Sequence, residues 1–211
     1  MRTIRKGPEP VGLTQYRLSE NPSYEGYPDK DTLRNALVSE QRGLCCYCLS
    51  RIRADRESMK IEHWLPQKGK KGNETKQLSY KNLLGACKGN EGGPALHCDS
   101  SKGMRELSRN PANPEHRVED LVHFNGDGKI QSPDPNFNTE LNEVLNLNFK
   151  FLQSNRRDTL NAFTTAIVKR DADRSTLEKW LRTWNGESEA GDLRPYCQVV
   201  VYWLRKRLAR P

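Results

Sequence analysis

The chain has 211 residues, 34% of them hydrophobic and 29% charged. It holds no run of about 18 apolar residues, the least that spans a bilayer, and its start, MRTIRKGPEP, lacks the apolar stretch of an export signal. Lys and Arg number 35 against 27 Asp and Glu, a net charge of +8, so an anionic partner is expected, nucleic acid first, in a cytoplasmic protein with no membrane association.

Residues 1–28 are rich in Pro, Gly and Tyr without a sustained period, and are expected to form an irregular arm. Asp29 to Gln41 reads as a helix: Leu33, Ala36 and Leu37 share a side, acidic residues occupy the first turn and Gly43 follows. Residues 44–63 read as a hairpin, CCYCLSRI turning through RADRES into MKIEHW. A polar loop follows, in which Lys68, Lys70, Lys71 and Lys76 are either phosphate contacts or simply solvated. SYKNLLGAC leads into a Gly-rich loop, and HCDSSKGMREL can start a helix.

From 110 to 138 the composition shifts to prolines (111, 114, 133, 135), and NGDG within VHFNGDGKI signals a second hairpin. From Thr139 the pattern is helical. Leu160, Phe163 and Ile167 make one stripe and Leu177, Trp180, Leu181 and Trp184 another, with Ser175 and Glu178 spaced as a capping box. Cys197, Val200, Val201, Leu204 and Leu208 make a third. Trp180, Trp184 and Trp203 are expected in the core, Cys197 as a buried apolar residue, and His116 and His123 as ordinary histidines. The organisation expected is thus an arm (1–28), a core (29–109), a Pro-rich connection (110–138) and a helical region (139–211).

The chemistry concentrates in the cysteines, at 45, 46, 48, 87, 98 and 197. Without an export signal a disulfide set is not expected. Cys45-x-x-Cys48 places two thiolates on one tight turn, and Cys87 and Cys98 supply a second pair. Four thiolates suit structural zinc, closed to substrate; Cys46 is left as a buried or reactive thiol. Between the pairs lie Glu62-His63 and Asn82, and around Cys98 stand His97 and Asp99. Glu62 and Asp99 offer oxygen ligands to a hard cation, Mg²⁺ or Mn²⁺, and His63 is a base able to take a proton from water near neutral pH.

The pieces CCYC, KIEHWLP, YKNLLGAC and HCDSSKG, over residues 40–104, resemble the HNH endonucleases, the ββα-metal family. The resemblance implies an α+β fold with a zinc-stapled ββα core, here followed by a helical extension, and hydrolysis of phosphodiester bonds, with DNA the expected substrate and RNA the alternative. It implies that Glu62 binds the catalytic ion, that His63 activates water and that Asn82 orients the base through a loop contact. It puts Asp99 at the helix-borne ligand position, usually His or Asn, with Lys102 three residues on; His97 is the alternative in a shifted register. Lys68, Lys70, Lys71 and Lys102 are the expected nucleic-acid contacts. The whole-chain layout is similar to the small HNH proteins of Septu-type and retron-associated anti-phage systems, which implies an ABC/SMC-like ATPase partner. From another class, a catalytically silent zinc module that binds nucleic acid or tethers a partner fits the same cysteines.

Overall fold

The computed structural model describes residues 1–67, 76–168, 172–188 and 190–210, and shows an α+β chain with two small antiparallel sheets, each of two strands. Among the described residues no helix is long and apolar enough to cross a membrane.

The N-terminal arm, expected to be irregular, is not so throughout. It contains the helix α1 (Val11–Arg17), which places Leu13 against Tyr27, Leu33 and Leu37; at seven residues, two turns, it is too short to leave a readable period. Met1 and Ile4 are buried in the main core. The helix α2 (Lys30–Glu40) begins where expected: the Asp29 carboxylate accepts from the Thr32 N–H at 3.0 Å, the usual N-cap bond. Gly43 follows with φ +74°, and a Cβ there would strike the Arg51 guanidinium.

The expected hairpin over 44–63 does not form. Residues 44–51 instead close on themselves, with a single bridge between Leu44 and Arg51 and a bond from the Cys45 N–H to the Ser50 carbonyl. The strand β1 (Met59–His63) pairs with β2 (Leu83–Cys87), Met59 opposite Cys87 and His63 opposite Leu83. Two thiols three residues apart converge only if the chain turns sharply; the Leu49 N–H closes that turn on the Cys45 carbonyl, and Leu49 itself, with φ +64°, sends the chain back toward Leu44. The wholly buried run LLGAC then becomes the partner of β1. After β2 comes a short helix, α3 (Cys98–Lys102), fastened by a bond from the Cys98 N–H to the Leu145 carbonyl.

The second hairpin forms as its NGDG turn indicates. Strands β3 (His123–Phe124) and β4 (Ile130–Gln131) flank the turn, where the Asn125 side chain accepts from the Asp127 and Lys129 N–H groups. Around it lie α4 (Val118–Leu121) and α5 (Pro135–Thr139), the latter running into a π-helical turn over Glu140–Val144. The helical region consists of α6 (Lys150–Val168), α7 (Arg174–Trp184) and α8 (Cys197–Leu208). Phe163 meets Trp180, Trp184 and Trp203 edge-on, with ring centroids 5.3–5.9 Å apart, so the tryptophans belong to the packing. The cap of α7 is Asp173, which accepts from the Thr176 N–H, and not the expected Ser175–Glu178 box. Asp and Ser both suit an N-cap, and the earlier of the two starts the helix. Cys197 is buried beside Leu44, Leu49 and Leu193.

Candidate active site and metal centre

Four segments bring the thiols of Cys45, Cys48, Cys87 and Cys98 together: both arms of the 44–51 turn, the end of β2 and the first residue of α3. Their sulfurs all lie within 4.8 Å of one another and all four residues are buried. Cys48 and Cys87 stand 3.7 Å apart and Cys45 and Cys98 4.0 Å. Tetrahedral zinc with Zn–S bonds of about 2.3 Å sets its ligand sulfurs about 3.8 Å apart, so the cluster fits a metal such as zinc. No disulfide links any of the six cysteines. Cys46, beside this group but outside it, is buried; burial pushes its thiol well up, and it is not poised for reaction.

Among the described residues this is the only group of three or more His, Cys, Asp and Glu side chains gathered closely enough for one ion. His97 belongs to its surroundings. Its Nδ1 lies 3.2 Å from the Cys98 sulfur and its ring stacks on Phe149. His97 is not among the residues that line the cleft of Glu62 and His63.

At the end of β1 a cleft of about 290 Å³ is lined by Glu62, His63, Gln67, Asp99 and Met104, among others. Three of the expected site residues thus share one cavity. Asp99 lies one residue beyond a cluster thiol, at the start of α3, and Glu62 and His63 close β1. Asn82 does not line the cleft but acts on it from behind. Its Oδ1 accepts from the Leu65 N–H at 2.8 Å, and its Nδ2 donates to the carbonyls of Leu65 (3.1 Å) and Lys76 (3.3 Å). Both edges of the loop after His63 are clamped by this one amide.

His63 is mostly buried. Its Nε2 stands 2.9 Å from the Gln77 carbonyl, which can only accept, so that nitrogen carries the proton. Nδ1 then holds the lone pair and accepts from the Gln67 amide at 3.0 Å. Tyr24 packs edge-on against the ring at 4.5 Å. Burial lowers the imidazole below its usual range, which keeps it neutral.

Glu62 is 3% exposed. Its Oε1 accepts from the Tyr47 hydroxyl at 2.7 Å and pairs with the Lys102 ammonium at 2.8 Å. Burial first, and then the neighbouring Asp99 carboxyl, push its pKa well above the usual carboxylate range, opposed by Lys102. Two carboxyls this close in a partly dry cleft repel one another as anions, the condition a cation relieves. Lys60 approaches Asp99 to 3.7 Å but is also held by Ser100 and Glu91.

Lys102 corrects an expectation. Expected among the nucleic-acid contacts, it is 1% exposed and donates inward, to Glu62 and to the His63 carbonyl at 3.1 Å. A lysine is buried only where its charge is paired, and the Glu62 carboxylate supplies the pair. Lys68, Lys70 and Lys71 lie outside the described residues. Sequence reasoning also missed Tyr47, which sits within the quoted CCYC; a phenol locked between two clustered thiols has to find a buried acceptor. Gln67, Gln77 and Tyr24 left no signal in their spacing. A larger cavity of about 580 Å³, between the N-terminal arm, the end of α2 and α8, includes none of Glu62, His63, Asn82 and Asp99. No protein-family model matches the chain, and no curated protein is significantly similar to it.

Proposed function

We propose that this chain is a metal-dependent endonuclease of the HNH kind, its β1–β2–α3 unit serving as a ββα-metal core stapled by zinc. The observation that carries the reading is the shared cleft: Glu62, His63 and Asp99 line it together, with Asn82 clamping the loop behind His63. Mg²⁺ or Mn²⁺ is the proposed catalytic ion, taken by Glu62 and Asp99, and such an ion supplies charge stabilisation for the phosphate and the leaving oxygen. His63 supplies the base. Its Nδ1 lone pair lies on the Gln67 side, so a water that displaces the Gln67 amide finds an acceptor for its proton, while the Gln77 carbonyl keeps the ring in the tautomer this requires.

DNA is the favoured substrate and RNA the alternative, held mainly through phosphates and hence sensitive to salt. A role in anti-phage defence beside an ATPase rests on the sequence resemblance alone. The silent zinc module draws support from one observation, the ion pair with Lys102 that occupies Oε1 of Glu62. Purified protein incubated with plasmid DNA or structured RNA, with Mg²⁺ or Mn²⁺, separates the readings. The expected outcome is nicking that His63→Ala abolishes while zinc content stays near wild type and the fold is retained, with the melting temperature lowered by the loss of a buried, hydrogen-bonded ring. Cleavage by His63→Ala at the wild-type rate would remove His63 as the base, and no cleavage of either polymer would favour the silent module.

A further inference from the structure

The two groups that hold Glu62 both come from segments anchored by the thiol cluster. Tyr47 stands between Cys46 and Cys48 on the 44–51 turn and is fully buried. Lys102 lies one helical turn beyond Cys98 and is 1% exposed. Both reach the same atom: the tyrosine hydroxyl stands 2.7 Å and the ammonium 2.8 Å from Oε1 of Glu62. Lys102 also donates to the His63 carbonyl, so one ammonium ties the two adjacent residues at the end of β1. A glutamate side chain left alone at a strand end samples several rotamers and can offer either oxygen. With two charge-assisted bonds on Oε1, its orientation is fixed.

We propose that Tyr47 and Lys102 are positioning residues that hold Oε1 of Glu62 and so reserve Oε2 for a divalent cation in the cleft. The inference rests on the endonuclease reading and adds to it: the thiol cluster sets the direction of the carboxylate as well as stapling the fold. Outer partners of a metal-binding carboxylate typically govern about 10- to 100-fold in metal affinity or activity.

The test uses the full chain with its zinc loaded and reads Mn²⁺ binding by electron paramagnetic resonance, beside the Mg²⁺ dependence of cleavage. Tyr47→Phe removes one oxygen and keeps the ring, so zinc content and melting temperature serve as controls. Tyr47→Phe is expected to weaken Mn²⁺ binding about 10-fold, and to raise the Mg²⁺ concentration for half-maximal cleavage by a similar factor with the maximal rate retained. In a Glu62→Gln background the same change should add less than about twofold, because sites that act through one shared partner are not additive. Lys102→Met should weaken Mn²⁺ binding in the same direction; should that variant fail to fold, the Tyr47→Phe pair decides alone. Wild-type Mn²⁺ affinity in Tyr47→Phe, or an equal loss in the Glu62→Gln background, overturns the positioning role while leaving an active nuclease standing. A wild type that neither binds Mn²⁺ nor cleaves defeats the endonuclease reading, and this inference with it.

Discussion

Removal of the ion from the four-cysteine cluster should unfold the region it joins. The cluster fastens the 44–51 turn, the end of β2 and the start of α3 at one point. Each piece is small: two five-residue strands and a five-residue helix. A two-stranded sheet is marginal in water by itself, and a helix of that length does not persist without packing. Structural zinc contributes about 10–16 kcal/mol in small domains, whereas whole proteins are stable by about 5–15 kcal/mol. The loss is therefore of the same size as the whole stability of an ordinary protein. Elemental analysis should find about one zinc per chain. Chelation, or Cys48→Ser, should collapse the near-ultraviolet circular dichroism and abolish the cooperative melt of this region. Cys46→Ser is the internal control: its thiol is equally buried but outside the cluster, so the zinc should remain and the cost should be that of one buried hydroxyl, about 1–3 kcal/mol. A metal-free protein that melts at the temperature of the loaded one would refute the reasoning.

The two residues flanking Cys98 should behave differently. Asp99→Ala should sharply raise the Mg²⁺ needed for cleavage, and Asp99→Asn or Asp99→His should retain part of the activity; His97→Ala should act mainly on zinc retention, and a divalent titration of cleavage with zinc occupancy checked in each variant distinguishes the two. Phe163→Ala should cost about 3–5 kcal/mol in urea unfolding, because three indole rings lose their common partner. Stability should fall with acidification through His63. Its folded imidazole titrates below the unfolded value of 6.5, so the unfolded state takes up the proton first; the contribution is intact above pH 6.5 and is lost as pH falls toward the folded value. Melting temperature measured from pH 7.5 to 5 should drop less in His63→Gln than in wild type.

What the sequence made legible follows from where the physics is local. The start of α2, the NGDG turn and the apolar stripes of α7 and α8 are decided within a few residues, and the structure has each of them. Cys45, Cys48, Cys87 and Cys98 were legible by residue type, since few other roles gather four thiols. The partner of β1 was not. CCYCLSRI reads as the partner strand and LLGAC only as a lead into a loop, and the outcome depends on the thiols forcing the first into a turn, a constraint completed by Cys87 and Cys98, distant in sequence. Lys102 was misplaced for a related reason. Type and net charge put a lysine at the surface, and only the buried Glu62 acid explains its burial. The hold on His63 by Gln67 and Gln77 crosses a loop whose path no spacing encodes.

A shared buried cluster crosses the boundaries expected at 28, 109 and 138. It runs from Met1 and Ile4 through Cys45, Met59 and Leu84 to Leu152, Phe163 and Val200. The lead into α8 closes directly on the cysteine turn: the Tyr196 N–H donates to the Leu49 carbonyl, the Leu193 N–H to the Arg42 carbonyl, and Arg51 pairs with Asp192. The helical region therefore braces from outside the same turn that carries Cys45, Tyr47 and Cys48. Its inward faces are committed to the core, with Leu160, Phe163, Leu177, Val200 and Leu204 all buried there.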